Sequence, residues 1–133
     1  MITYIDSGVL IAAAIGNEKV SCQALKILSD GSRKFVGSEF LKLEVLPKAI
    51  YNKKTREIDF YNCYFKSLYS YHPGIDNLIE EAYNEACSAG LSIQDAIHII
   101  AAIKMEAEEF FTTEKASKSI HRTKRIKVIS IKN

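Results

Sequence analysis

The chain has 133 residues, of which 47% are hydrophobic and 26% charged, with a formal net charge of +2. These values are typical of one globular domain with a buried core, so we expect a single domain over residues 1–133. No apolar run reaches the roughly 18 residues of a membrane helix. The first residues lack the basic region and cleavage site of a signal peptide, so neither a membrane nor a secreted protein is expected.

The three cysteines, Cys22, Cys63 and Cys87, are scattered along the chain and odd in number. This pattern is untypical of a disulfide framework or a zinc site. We therefore expect reduced thiols in the protein core and a cytoplasmic location.

The first segment has the pattern of a strand, an acidic turn and a helix. A β-rich run, residues 2–5, ends at Asp6, and Ser7 is expected to cap an apolar helix over residues 9–15 that ends near Gly16. Ligands of open α/β sheets bind at the carboxyl ends of the strands, which makes Asp6 a candidate site residue. A plain turn or capping role is the alternative.

The next stretch predicts a helix, a strand and a second long helix. Asn17 is expected to cap the first of these helices, which ends at residues 30–31, and a strand follows over residues 33–36. Ser38 is then expected to cap an apolar helix. Pro47 falls inside that helix, where we expect a kink or a break.

Five of the seven tyrosines lie between residues 51 and 71, around a helix that is expected to open at Thr55 or Arg56. The helical spacing of these rings favours packing in the core. An interface is the alternative, centred near Tyr61 and Phe65, because exposed aromatic residues are enriched where proteins meet.

The second half of the chain predicts two helices, residues 75–88 before Gly90 and residues 92–105, and two strands, residues 109–112 and 127–131. Short strands that alternate with helices predict an α/β fold. We expect a three-layer α/β/α sandwich around a central, mostly parallel twisted sheet with right-handed crossovers.

This topology brings acidic residues to one edge of the sheet. Asp6 ends the first strand, Asp95 lies in the first turn of a helix, and Glu114 follows the fourth strand. Glu44 joins them only if the helix after Ser38 crosses that edge. Each acid also has an ordinary role, and Asp95 fits a capping box. Clustered carboxylates favour Mg²⁺ or Mn²⁺, whereas the three histidines lie singly and are expected to be structural.

Charge is unevenly distributed along the chain. Residues 76–114 contain nine acids and one base, and the residues from Lys115 onward contain seven bases and no acid. Such a tail either attracts phosphates or forms a solvated surface. The candidates for weak RNA binding are Lys48, Lys115, Arg122, Lys124 and Arg125.

Four segments of the chain together resemble the PIN-domain family. They are residues 4–10 (Tyr-Ile-Asp-Ser-Gly-Val-Leu), 38–45, 91–102 and 111–115 (Phe-Thr-Thr-Glu-Lys). Their order and spacing fit the family over essentially the whole chain, and residues 91–102 are the most specific match.

The resemblance implies a nuclease that cuts RNA with a divalent metal ion, Mg²⁺ or Mn²⁺. It assigns the metal-binding and catalytic acids to Asp6, Glu44, Asp95 and Glu114, with Thr112 and Ser7 in support. Many small members of the family, such as the VapC-like ribonucleases, are the toxin of a toxin–antitoxin pair and often form homodimers. RNA, a cognate antitoxin and a second copy of the chain are therefore the expected partners.

Two other functions remain open. The fourth acid is Glu114 where aspartate is usual, and Pro47-Lys48 stand where an arginine is common, which favours a non-catalytic PIN-fold module that binds RNA or protein. An aspartyl phosphotransferase or receiver-like domain is the other alternative. Phosphatases of that kind need a second aspartate two residues after the first, and Gly8 occupies that position.

Overall fold

The structure, a computed structural model, describes residues 1–16 and 19–132. The expected capping residue Asn17 lies outside the described residues. Five strands form one sheet: β1 (Ile2–Ile5), β2 (Lys34–Ser38), β3 (Ser70–His72), β4 (Glu109–Thr112) and β5 (Lys127–Ser130). Their order is β3-β2-β1-β4-β5, and every neighbouring pair is parallel. The predicted parallel α/β fold is therefore confirmed, with β1 at the centre of the sheet.

In the described part of the chain, six helices cover the two faces of the sheet: α1 (Ser7–Ile15), α2 (Lys19–Leu28), α3 (Glu39–Tyr51), α4 (Thr55–Ser67), α5 (Ile79–Ala89) and α6 (Ile93–Lys104). Side chains alternate between faces along a strand. Ile5 and Phe111 accordingly pack with α1 to α4, and Tyr4 and Phe110 pack with α5 and α6. Short 3₁₀ turns at Asp76–Leu78 and Ser119–Arg122 complete the second layer.

Polar side chains cap the N-termini of three described helices, and two of these three caps agree with the sequence pattern. The Ser38 and Ser92 hydroxyls cap α3 and α6 by accepting backbone N–H groups. The prediction that Ser7 caps α1 is wrong, because Asp6 remains extended and its own carboxylate accepts the Val9 N–H. Ser7 is the first residue of the helix.

Helix α3 runs between the two hydrophobic cores and continues through Pro47 without a break. Near its start, the Phe40 ring lies 4.9 Å from the His98 ring of α6. Leu41, the next residue, and Val45, just over one turn beyond Phe40, pack in the core under α1 and α4. The helix therefore crosses the carboxyl edge of the sheet, which is the condition under which Glu44 joins the other acids.

The tyrosine-rich helix α4 contributes mainly to the core. Tyr61 is only 2% exposed and Tyr64 is also buried, so packing explains both rings and neither is available to a partner. The other three tyrosines of the predicted group, Tyr51, Tyr69 and Tyr71, are exposed, so core packing is wrong for them. The expectation that the cysteines are core residues is wrong, because Cys22, Cys63 and Cys87 are all exposed free thiols.

Within the described residues, no single helix has the length and apolar composition needed to cross a bilayer. The pair Asp76–Ala89 and Ile93–Lys104 meets these criteria only when its two segments are joined, and they are bent by 117°.

Candidate functional site

Asp6 is the most buried acid at the carboxyl edge, with 8% of its surface exposed. Its backbone N–H extends the sheet by donating to the Phe111 carbonyl at 3.1 Å. Its carboxylate accepts the Val9 N–H at 3.0 Å on Oδ1 and the Thr112 hydroxyl at 2.5 Å on Oδ2. Burial raises the pKa of this carboxyl, and the two hydrogen bonds oppose that rise.

Thr112 links two of the predicted site residues. Its hydroxyl donates to Asp6 and accepts the backbone N–H of Glu114 at 3.0 Å. The carbonyl of Glu114 lies 2.9 Å from His121 Nε2. The main chain around Glu114 is thus held at the end of β4, while its side chain is exposed.

Asp95 lies between the other acids and is half-buried in the first turn of α6. The Ser92 hydroxyl accepts the backbone N–H of Asp95 at 3.1 Å, so the serine caps the helix through the Asp95 main chain. Burial raises the pKa of the Asp95 carboxyl, and the negative charges of Glu114 and Glu44 raise it further. The charge of Asp95 in turn raises the pKa of Asp6. The charge of Asp95 therefore interacts with the charges of the other three predicted acids.

Glu44 lies on α3, and its carboxylate is hydrogen-bonded to a histidine of α6. One oxygen of its carboxylate, Oε1, makes a short hydrogen bond to Nε2 of His98. The other ring nitrogen, Nδ1, lies 2.6 Å from the Tyr4 hydroxyl, and that hydroxyl lies 2.8 Å from Ser38 Oγ. Tyr4 is fully buried and His98 is 3% exposed, so the contacts between Ser38, Tyr4 and His98 are shielded from water, while the Glu44 side chain is partly exposed.

Sequence reasoning missed Tyr4 and His98 as part of the site, although two spacings point to them. His98 is three residues after Asp95 on one helix, and residues at that separation share a face. Tyr4 is two residues before Asp6, and residues at that separation along a strand point to the same side. Both patterns place the missed residues beside predicted acids.

The donors at this edge are carboxylate and hydroxyl oxygens, which fit the preference of Mg²⁺ and Mn²⁺. Asp6 and Asp95 are partly desolvated and repel each other, and a cation would relieve that repulsion. Among the described residues, however, no group of three or more histidine, cysteine, aspartate or glutamate side chains is already arranged to hold a metal ion.

Two of the five predicted RNA-binding residues make contacts within the protein. Arg122 donates to the carbonyls of Ala89 and Gly90 at 2.9 and 2.7 Å, at the carboxyl end of α5. Arg125 lies 3.6 Å from a Glu81 carboxylate oxygen.

The other three predicted RNA-binding residues, Lys48, Lys115 and Lys124, are exposed. Lys48 lines a groove of about 260 Å³ that also contains Glu44. Lys115 directly follows Glu114 in the sequence. These two lysines therefore lie next to predicted site acids.

No family model and no curated protein matches the sequence. Among solved structures, the VapBC2 complex from Rickettsia felis bound to a DNA fragment from their promoter matches with a TM-score of 0.72 and 15% identity, over 98% of both chains. VapBC-1 from nontypeable Haemophilus influenzae matches with a TM-score of 0.67 and 15% identity, also over 98% of both chains.

VapC20 from Mycobacterium tuberculosis, a sarcin-ricin loop cleaving toxin, matches with a TM-score of 0.65 and 10% identity, over 88% of this chain and 92% of that one. At such identities the likeness is one of fold. It confirms the three-layer PIN-like architecture expected from the sequence.

Proposed function

We propose that this chain is a divalent-metal-dependent ribonuclease and the toxin of a toxin–antitoxin pair. The observation that carries the proposal is a pair of partly buried acids at the carboxyl edge of the sheet, Asp6 and Asp95, whose pKa values are raised by burial and, to a smaller extent, by neighbouring carboxylates. Mutually repelling carboxylates are unfavourable for a protein that has only to fold, and perturbed acids of this kind are typical of functional sites.

The proposed metal site uses Asp6, Glu44 and Asp95 as ligands for Mg²⁺ or Mn²⁺, with Glu114 as a further ligand. When bound, such an ion neutralises charge on a phosphodiester and lowers the pKa of a bound water. Thr112 holds the Asp6 carboxylate in one orientation through its 2.5 Å hydrogen bond. Ser7, at the start of α1, supports the turn that carries Asp6.

The solved structures of similar fold support the biological part of the proposal. They include VapBC complexes and a toxin that cleaves the sarcin-ricin loop. We therefore propose an RNA substrate, a cognate antitoxin as a protein partner and a homodimer as the oligomeric state. We also propose a cytoplasmic location, where such an RNA substrate would be met.

Cleavage of a mixed RNA pool by the purified protein tests this proposal. We expect cutting in Mn²⁺ or Mg²⁺, no cutting with a chelator, and a loss of about a thousandfold or more in Asp95→Asn. The matched control is Asp59→Asn, which removes an exposed carboxylate of α4 and should cut like the wild type. Equal cutting by the wild type and Asp95→Asn would contradict the proposal and point to a contaminating nuclease.

The proposed path of the RNA backbone predicts different effects for two basic residues. Lys115→Ala should raise KM for RNA and reduce the slope of log affinity against log salt by about 1, because one phosphate contact is lost. Arg122→Ala should leave KM nearly unchanged and lower the free energy of unfolding by about 1 kcal/mol, because the carbonyls of Ala89 and Gly90 lose a donor. Salt-dependent kinetics and urea unfolding of both variants measure these effects. The reverse result would move the RNA path to the face that carries Arg122.

A non-catalytic module that binds RNA or protein is the second candidate. The observation that favours it is that no described group of three metal-binding side chains is already arranged around an ion. A protein that binds RNA tightly and shows no turnover in Mn²⁺ would support this candidate over the nuclease.

A further inference from the structure

The buried contacts behind Glu44 form one continuous chain of hydrogen bonds. It runs from the α3 main chain through Ser38, Tyr4 and His98 to the Glu44 carboxylate. These residues come from β1, β2, α3 and α6, so four elements meet at this one chain. Since Tyr4, Ser38 and His98 are almost completely buried, water is not available to replace the bonds that the Tyr4 hydroxyl makes.

For an ionised Glu44 carboxylate and a neutral His98 ring, the direction of every hydrogen bond is fixed from the Glu44 end of the series. An ionised Glu44 carboxylate has only acceptors, so His98 must carry its proton on Nε2. In a neutral imidazole the other nitrogen, Nδ1, is then an acceptor, and the Tyr4 hydroxyl must donate to it. Tyr4 in turn accepts from the Ser38 hydroxyl, whose oxygen already accepts the Leu41 N–H at 3.2 Å. All donors in the chain are used once, and each bond polarises the next.

We propose that His98 is a positioning residue that holds the Glu44 carboxylate at the acidic site, and that the Tyr4 hydroxyl keeps His98 in the tautomer needed for this. This inference rests on the proposed function, since it assigns Glu44 a task at that site. Only Oε1 of Glu44 is bound by the histidine. The second oxygen, Oε2, stays available to a cation, which is the arrangement in which an outer hydrogen bond orients a metal-binding carboxylate.

The structure contains a matched control for removal of the Tyr4 hydroxyl. Tyr64 is a second buried tyrosine, and its hydroxyl has no hydrogen-bond partner among the described residues. Tyr4→Phe and Tyr64→Phe therefore make the same chemical change at two buried sites. Only the first change removes a contact to His98.

The first experiment measures Mn²⁺ binding to RNA-free protein by titration calorimetry, together with kcat and KM for a fluorescent RNA. Tyr4→Phe and His98→Leu should each weaken Mn²⁺ binding and lower kcat by about tenfold or more, with KM unchanged. His98→Gln should recover part of the loss relative to His98→Leu, because its amide can donate where Nε2 did. Tyr64→Phe should match the wild type. Wild-type affinity and kcat in both Tyr4→Phe and His98→Leu would overturn the proposal.

A second measurement needs neither metal nor RNA. Long-range ¹H–¹⁵N spectra of protein with ¹⁵N-labelled histidine report the tautomer of each ring, and His98→Gln identifies the His98 signals. We expect a neutral Nε2–H ring in the wild type and in Tyr64→Phe, and a mixture of tautomers in Tyr4→Phe. A Nδ1–H ring or a doubly protonated ring in the wild type at pH 7 would overturn the proposed direction of the chain.

The two readouts separate failure of this inference from failure of the proposed function. A wild type that binds Mn²⁺ but cuts no RNA contradicts the proposed nuclease. In that case, a drop in Mn²⁺ affinity confined to the Tyr4 and His98 variants still supports the positioning of Glu44 by His98. A wild type that cuts RNA, with variants that bind and cut equally well, contradicts positioning alone.

Discussion

Asp6→Asn should abolish RNA cleavage, with a fall in rate of at least about a thousandfold. Asparagine has the shape of aspartate, and its oxygen still accepts the Val9 N–H that caps α1. It lacks the negative charge that a divalent cation needs from its ligand. Single-turnover cleavage of a labelled RNA by the wild type, Asp6→Asn and the exposed-site control Asp59→Asn measures the effect. Full activity in Asp6→Asn would show that the site is wrongly assigned.

The same substitution should leave the fold intact and make it more stable at neutral pH. Burial raises the pKa of Asp6 above its ordinary value of 3.8. An acid with a raised folded pKa favours the native state fully below its unfolded pKa, and this contribution is lost as the pH rises through the folded pKa. The melting temperature of Asp6→Asn minus that of the wild type should therefore increase from pH 3.5 to pH 7. A difference that decreases over this range would mean that the carboxylate stabilises the fold.

Arg33→Met should cause the largest loss of stability, about 3 kcal/mol in the free energy of unfolding. Arg33 Nε lies 2.6 Å from the buried Glu109 carboxylate, and its Nη1 lies 2.5 Å from Asp30. Without the guanidinium, the charge of Glu109 stays buried, and among the described residues only the Thr3 hydroxyl, at 2.6 Å, remains as a side-chain donor. Urea unfolding of the variant and the wild type measures the difference.

A double variant tests whether the loss of stability comes from the unpaired charge of Glu109. Glu109→Gln in the Arg33→Met background should recover part of the stability, because a neutral amide is less costly to bury than an unpaired carboxylate. Arg56→Met is the matched control, since Arg56 is exposed and has no ion pair within the described chain. It should stay within about 0.5 kcal/mol of the wild type. Equal losses of stability in the single and double variants would mean that the effect comes from the packing of the aliphatic part of the Arg33 side chain.

Local signals in the sequence were sufficient to predict most of the secondary structure. Ser38 and Ser92 each precede an apolar helical pattern, and both cap a helix as expected. The exception is at Asp6 and Ser7, which are both good capping residues. The choice between them depends on a distant contact, because the Asp6 N–H pairs with the Phe111 carbonyl and keeps Asp6 extended.

The candidate site was only partly predictable, for a related reason. Topology brings Asp6 and Asp95 to one edge, since both lie where strands end or helices begin. The position of Glu44 depends on the path of α3 over the sheet, and no local pattern encodes that path. His98 contacts Glu44 and Tyr4, which are separated from it by 54 and 94 positions in the sequence. Its role could therefore be seen only in the three-dimensional structure.

The strand order has a consequence for how the protein is made. Strand β1 is synthesised first but lies between β2 and β4. The hydroxyl that orients Asp6 comes from Thr112, 106 residues later in the chain. A nascent polypeptide on the ribosome therefore holds Asp6 without Thr112 until 106 further residues have been made. We expect the proposed nuclease site to stay incomplete on the nascent chain until β4 has been released and has folded beside β1.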